Sequence, residues 1–288
     1  MKVTNIDLYK YFNWPKPNKA AKGILHGIFF DKETDGDLEV NKKRLRPMML
    51  IFPGGAYTSV SQREATPVCV SFLKYGFNCF YLEYSTAPKN RYPTMLIEAM
   101  MALTYLYKKA KDFYSDPNKI TLCGFSAGGH LVGMLCSLQK EERELFYPLD
   151  KCGAHAKAAI FSYPALTEDT NGGTIKNLLG EDFPNKAAFS ILNRAREDFL
   201  PSFIWATKED SCVNPYTNAE ALKKKLDSYH VPNEFVLFPK GNHGLSTCDI
   251  NTQASLSAYD ELSDTVGAWV RKANDFLLQI GAGLTDKK

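Results

Sequence analysis

Lys119-Ile-Thr-Leu-Cys-Gly-Phe-Ser-Ala-Gly-Gly-His130, running on into Leu131-Val-Gly-Met-Leu-Cys-Ser-Leu138, decides how the rest of the chain is read. The run Ile120–Cys123 is short, apolar and rich in strand formers, and the run from His130 onward is apolar and helical in character. Between them lies Gly124-Phe125-Ser126-Ala127-Gly128, the G-x-S-x-G pattern. That spacing has a steric cause. A serine on a sharp strand-to-helix turn stands above the sheet with its hydroxyl exposed, and the positions two before and two after it approach neighbouring backbone too closely for a Cβ. The turn also puts the Ala127 N–H at the N-terminus of the following helix, whose partial positive charge favours a developing anion.

Outward from this turn the chain alternates strand and helix. Strands are expected at Met48–Phe52, Phe77–Tyr84, Lys119–Cys123, Ala158–Ser162, Ser202–Ala206 and Glu234–Phe238. Helices are expected at Glu64–Tyr75, Pro93–Tyr114, from the elbow to about Gln139, at Tyr216–Tyr229 and at Ala258–Leu278. Gly23–Phe30 and Asp37–Lys42 read as an opening hairpin after a polar lead. Such alternation means a mainly parallel sheet with helices on both faces, an α/β fold, in one domain over residues 1–288. The stretch at about 166–200 breaks the rhythm and is too long for a plain connection, so it is expected to form a lid or a pocket wall over the site.

The partners of Ser126 are sought downstream, because on such a sheet the order is Ser, then Asp or Glu, then His. Of five histidines only His230 and His243 follow the elbow far enough. His230 ends a charged helix, whereas His243 lies in Gly241-Asn-His-Gly244 just past a strand, which suits a catalytic loop. The acid is expected after the strand Ser202–Ala206, where Glu209 and Asp210 are the candidates. Pro53-Gly54-Gly55-Ala56-Tyr57 follows an earlier strand at the place where oxyanion donors arise, so Gly55 and Ala56 join Ala127 as candidate donors. Tyr57, Phe125 and Leu245 flank these groups and are candidate substrate-binding residues.

Composition narrows the function classes. Thirty-five Lys and Arg against 32 Asp and Glu give +3, too near balance for nucleic acid, and the Lys223–Lys225 triplet belongs on a solvated helix face. No apolar run reaches the length of a membrane span, and the first 19 residues are polar and aromatic, so neither membrane nor export is expected. Seven scattered cysteines without a C-x-x-C pair point to reduced, mostly buried thiols and a cytoplasmic protein. A homo-oligomer stays open.

Taken together, Gly-Phe-Ser126-Ala-Gly-Gly-His, Pro53-Gly-Gly-Ala-Tyr57, Asp210-x-x-Val213-x-Pro215 and Gly241-x-His243-Gly resemble the bacterial esterase/lipase branch of the α/β-hydrolase superfamily. Within it the chain is most similar to the small intracellular acetyl (xylan or sugar) esterases, whose pattern also covers Ser61-Gln-Arg-Glu64 and Tyr84-Ser85. The resemblance runs from about Met48 to the end. It implies the α/β-hydrolase fold, favours Asp210 over Glu209 as the acid, and implies acyl transfer through an acyl-enzyme on Ser126 with His243 as base. It further implies a small-molecule ester as substrate, acetyl before longer acyl groups, and no metal or organic cofactor. A small amidase or formamidase, a peptidase and a non-catalytic hydrolase-like receptor share the scaffold as alternatives. One departure stands out: Pro53 occupies the position where hormone-sensitive-lipase-like enzymes carry His, although the oxyanion donors themselves are backbone groups.

Overall fold

A computed structural model describes residues 1–30 and 45–285. Its eight strands are β1 (Lys2–Asp7), β2 (Ile24–Phe29), β3 (Arg46–Phe52), β4 (Asn78–Glu83), β5 (Ser115–Phe125), β6 (Ala158–Ser162), β7 (Ser202–Thr207) and β8 (Asn233–Phe238). They form one sheet in the order β1-β2-β4-β3-β5-β6-β7-β8, antiparallel at β1–β2 and β2–β4 and parallel elsewhere. The helices are α1 (Leu8–Phe12), α2 (Thr66–Leu73), α3 (Thr94–Lys109), α4 (Ala127–Cys136), α5 (Lys140–Leu145), α6 (Tyr147–Asp150), α7 (Thr174–Leu179), α8 (Ile191–Arg194), α9 (Ala219–Ser228), α10 (Leu256–Leu262) and α11 (Trp269–Gln279). Among the described residues no helix is long and apolar enough to cross a membrane.

The central strands are buried on both sides, so their side chains divide by parity between two cores. Met48, Leu50 and Phe52 of β3 join the core that also holds residues of α1, α3, α4 and α9, while Met49 and Ile51 join the one that holds residues of α2 and α11. The same alternation sends Ile120 and Leu122 of β5 to the first core and Cys123 and Phe125 to the second. Each large apolar side chain so buried contributes on the order of 1.5–3 kcal/mol.

Three expectations are corrected. The polar lead contains β1 and α1; β1 is an edge strand whose side chains are partly or wholly exposed, so it carries no apolar run. Residues 37–42 lie outside the described residues, and the neighbours of β2 are β1 and β4. The long C-terminal helix is split into α10 and α11 by a 3-10 turn at Val266–Ala268, where Gly267 runs close to the Cys248 carbonyl. The Lys223–Lys225 triplet sits on α9 as expected, with Lys223 and Lys224 in i,i+4 ion pairs to Asp227 and Glu220.

The N-terminal segment is docked by a buried carboxylate. Glu98 of α3 accepts the Ser85 N–H at 2.6 Å, the Ser85 hydroxyl and the Tyr9 hydroxyl at 2.8 Å. Burial outweighs these donors and pushes the carboxyl up from 4.5 to about 7. The folded chain therefore holds this proton where the unfolded chain releases it. The associated stability is whole below about pH 4.5 and is lost as the pH rises to about 7. On the order of 3 kcal/mol is at stake over that window. Melting temperatures measured across it should fall with rising pH in the parent and flatten in Glu98→Gln; an unchanged slope in the variant would place the proton elsewhere.

Candidate active site

Ser126 joins β5 to α4 with φ 51° and ψ −118°, a left-handed conformation that a serine adopts only when its surroundings impose it. The imposing contact is close packing of the elbow on the end of β3. A Cβ at Gly128 would lie 1.9 Å from the Phe52 carbonyl oxygen, and one at Gly124 would lie 2.4 Å from the Gly128 carbonyl oxygen. The Ser126 N–H donates to the Ser162 carbonyl at 3.0 Å, which ties the turn to β6.

Ser126 meets both expected partners. His243 Nε2 lies 2.8 Å from Ser126 Oγ, and His243 Nδ1 lies 2.7 Å from Asp210 Oδ2. The other Asp210 oxygen accepts the N–H groups of Cys212 and Val213 at 2.9 and 2.8 Å. A carboxylate that only accepts, and whose side chain is 1% exposed, fixes the imidazole proton on Nδ1 and leaves Nε2 to accept from the serine. Glu209, the other candidate acid, turns away and accepts the Gly241 N–H at 2.9 Å. His230 is exposed at the end of α9.

The loop after β3 bends back through three successive residues of positive φ, Gly55 (125°), Ala56 (50°) and Tyr57 (61°). The N–H groups of Gly55, Ala56 and Ala127 have no hydrogen-bond partner among the described residues, whereas the Gly54 N–H is occupied by Glu64 at 2.6 Å. A cleft of about 500 Å³ opens here, bounded by Ser126, His243, Gly55 and Ala56, by Val213 of the acid loop, and by Thr170–Thr174 of the long insertion. The insertion is pinned to the loop by Asn177, whose amide donates to the carbonyls of Ala56 and Gly172, both at 2.9 Å.

The three candidate substrate-binding residues lie outside this lining. Phe125 is fully buried in the second core, where its parity on β5 puts it, 5.8 Å from the Tyr163 ring and 5.9 Å from the Trp269 ring. Leu245 is buried in that same core beneath the His243 loop. Tyr57 is fully buried, and its hydroxyl bonds His130 Nδ1 at 2.9 Å while His130 Nε2 meets the Phe189 carbonyl at 2.8 Å. Burial pulls the His130 imidazole down to about 4, so the ring is neutral, donates to Phe189 and accepts from Tyr57.

Two further residues are joined to the site. Glu64 and Tyr163 are hydrogen-bonded to each other, and the Tyr163 ring lies 4.9 Å from the His243 ring. The sequence assigns Glu64 only a place in the Ser61–Glu64 pattern and Tyr163 only a place at the end of a strand near the site, because the partners of both lie far away in sequence.

Comparison with known proteins places the site in context. The BD-FAE family matches residues 37–226. Endo-1,4-beta-xylanase B of Butyrivibrio fibrisolvens is 30% identical over 243 residues, covering 80% of this chain and 36% of that protein. The chain spans well under half the length of the curated relatives it matches. Among solved structures, the acetyl ester-xyloside bifunctional hydrolase of Caldicellulosiruptor lactoaceticus superposes with TM-score 0.78 at 26% identity, over 97% of each chain. The carboxylesterase Cest-2923 of Lactobacillus plantarum superposes with TM-score 0.81 at 24% identity, over 99% of this chain and 100% of that one.

The burial of Tyr57 has a measurable consequence. Tyr57→Phe leaves Nδ1 of a buried imidazole without its donor and should lower the unfolding free energy by about 1–3 kcal/mol in urea. Unaltered stability together with weakened substrate binding would instead return Tyr57 to the cleft wall.

Proposed function

Because the chain has the α/β-hydrolase fold and belongs to the BD-FAE family, we propose that it is a serine carboxylic ester hydrolase acting on short-acyl, chiefly acetyl, esters. The observation that carries this reading is the continuous hydrogen-bond chain Asp210–His243–Ser126 at the cleft. In the proposed reaction Ser126 Oγ bonds the ester carbonyl carbon as its proton passes to His243 Nε2. The carbonyl π pair moves onto oxygen, which meets the open N–H groups of Gly55, Ala56 and Ala127. Collapse expels the alcohol, which takes the proton from His243, and leaves an acyl group on Ser126. Water, deprotonated by His243, then attacks that acyl group and releases the acid. Asp210 keeps the imidazole in the tautomer that both half-reactions need.

Two observations favour a small acyl group and a hydroxylated leaving group. The insertion lies close against the oxyanion loop, since a Cβ on Gly172 would stand 3.4 Å from the Ala56 Cβ. Thr58, Ser59, Ser61, Thr170, Asn171 and Thr174 line the cleft with groups that pair with sugar hydroxyls. The name of the acetyl ester-xyloside hydrolase agrees with an acetyl ester as substrate, and that of the xylanase with a carbohydrate.

The test compares the parent with Ser126→Ala on p-nitrophenyl acetate, butyrate and octanoate, and on acetylated xylo-oligosaccharides by acetate release. The parent should cleave acetate fastest, and the variant should lose about 10³- to 10⁶-fold in kcat. Failure of the parent on every ester, or cleavage of anilides in preference to esters, would overturn the reading.

A further inference from the structure

Glu64 is a buried carboxylate to which the reaction above gives no part. It closes the 3-10 turn Gln62–Glu64 and is 3% exposed, yet it borders the cleft. One carboxylate oxygen accepts the Gly54 N–H at 2.6 Å and the other accepts the Tyr163 hydroxyl at 2.7 Å. Both carboxylate oxygens are therefore taken up by donors from distant segments. Gly54 immediately precedes the open N–H groups of Gly55 and Ala56. Tyr163 extends the other arm, because its oxygen also accepts the Ser246 N–H at 2.9 Å and its ring stands edge-on to the His243 imidazole at 4.9 Å and 68°. A second tie runs beside it, from the Ser246 hydroxyl to the Arg63 carbonyl. One carboxylate thus joins the loop that would hold the oxyanion to the loop that carries the base.

We infer that Glu64 is a positioning residue for ester hydrolysis, fixing the Gly54–Ala56 loop and, through Tyr163 and its own negative charge, supporting His243 as an imidazolium. The inference rests on the esterase reading above. A residue there for packing alone would act equally well as an amide, so the charge separates the two roles. The charged and titratable groups that face Glu64 are His243, Arg63, Tyr163, Tyr84 and Cys123, and His243 is faced in addition by Asp210. Burial pushes the Glu64 carboxyl up, while Tyr163, the Gly54 N–H, His243 and Arg63 hold it down. Removing an anion beside His243 disfavours the imidazolium, so His243 would release its proton at lower pH.

The test is Glu64→Gln, which keeps the shape and one acceptor and removes the charge. On p-nitrophenyl acetate, kcat should fall about 10- to 100-fold with KM within about twofold. The acid limb of kcat/KM should move about half a pH unit or more downward. NMR titration of the His243 imidazole should show the same downward shift without substrate, so it reports on the inference even if the parent cleaves no ester. Should Glu64→Gln fail to fold, Tyr163→Phe takes its place: the ring against His243 remains, the donor to Glu64 is lost, and the acid limb should again move downward, because a Glu64 that takes up a proton more readily no longer supports the imidazolium. A folded Glu64→Gln with parental kcat and an unmoved His243 titration overturns the inference, as does a loss confined to KM or to melting temperature. An inactive parent in which the His243 shift is still seen overturns the esterase reading alone.

Discussion

The carbonyl oxygen of Phe52 and the α-carbon of Gly128 are in contact so close that no side chain fits between them, and the site is built on that contact. It presses the start of α4 onto the end of β3 and forces the intervening Ser126 into a left-handed turn. A residue with a side chain held so costs on the order of 1–3 kcal/mol, which the packing on both faces of β5 must offset. In return the serine hydroxyl stands clear of the sheet and the Ala127 N–H stays open at a helix end. The same contact brings the exit of β3, and hence Gly55 and Ala56, beside Ser126.

The exit loop of β3 cannot hold such a shape by itself, since three consecutive residues of positive φ have little local reason to persist. It is anchored from two sides. On the side of the first core, Tyr57 reaches His130 of α4, and His130 reaches Phe189 of the insertion. On that side too the Tyr84 hydroxyl donates to the Pro53 carbonyl at 2.6 Å, and on the other Glu64 accepts the Gly54 N–H. The insertion adds Asn177 against the Ala56 carbonyl. Residues 170–174 thus form part of the cleft wall because the segment that carries them is bonded to the loop they face.

This division explains what could be read from the sequence. The central strands were legible because burial on both faces leaves a short continuous apolar run such as Met48–Phe52. The elbow was legible because its glycines are demanded by backbone contacts, and chain order with loop position singled out the His243 and Asp210 that meet in a hydrogen-bond chain with Ser126. β1 was not legible, since an edge strand with exposed side chains looks like any polar segment. Tyr57, Phe125 and Leu245 are buried outside the cleft lining, because nearness in sequence to a site residue says nothing about which face of a strand or loop a side chain takes. Phe125 is the clearest case, since strand parity alone sends it into the second core. Glu64 was hidden by a local alternative. Ser61-x-x-Glu64 has the spacing of a helix capping box, yet Ser61 makes no capping bond and Glu64 is turned to groups far away in sequence.

The buried acids follow one rule that only the folded chain reveals. Glu64, Glu98, Glu142 and Asp210 are all nearly inaccessible, and each joins segments that no apolar core could join. Glu98 ties the first helix to the loop after β4, and Glu142 pairs with Arg194 to hold α5 against α8. Asp210 holds its own loop through two N–H groups and the His243 loop through the imidazole. Glu64 holds the exit of β3 and, through Tyr163, the same His243 loop from the other side. Loops carry backbone N–H groups that must find acceptors once buried, and a carboxylate offers two oxygens to two segments at once. The desolvation cost of such a group is repaid only while all its donors stay in place. His243 is therefore braced from both sides by anions whose stability depends on the loops staying where they are, so the groups that shape the site are also the groups that make its shape cooperative.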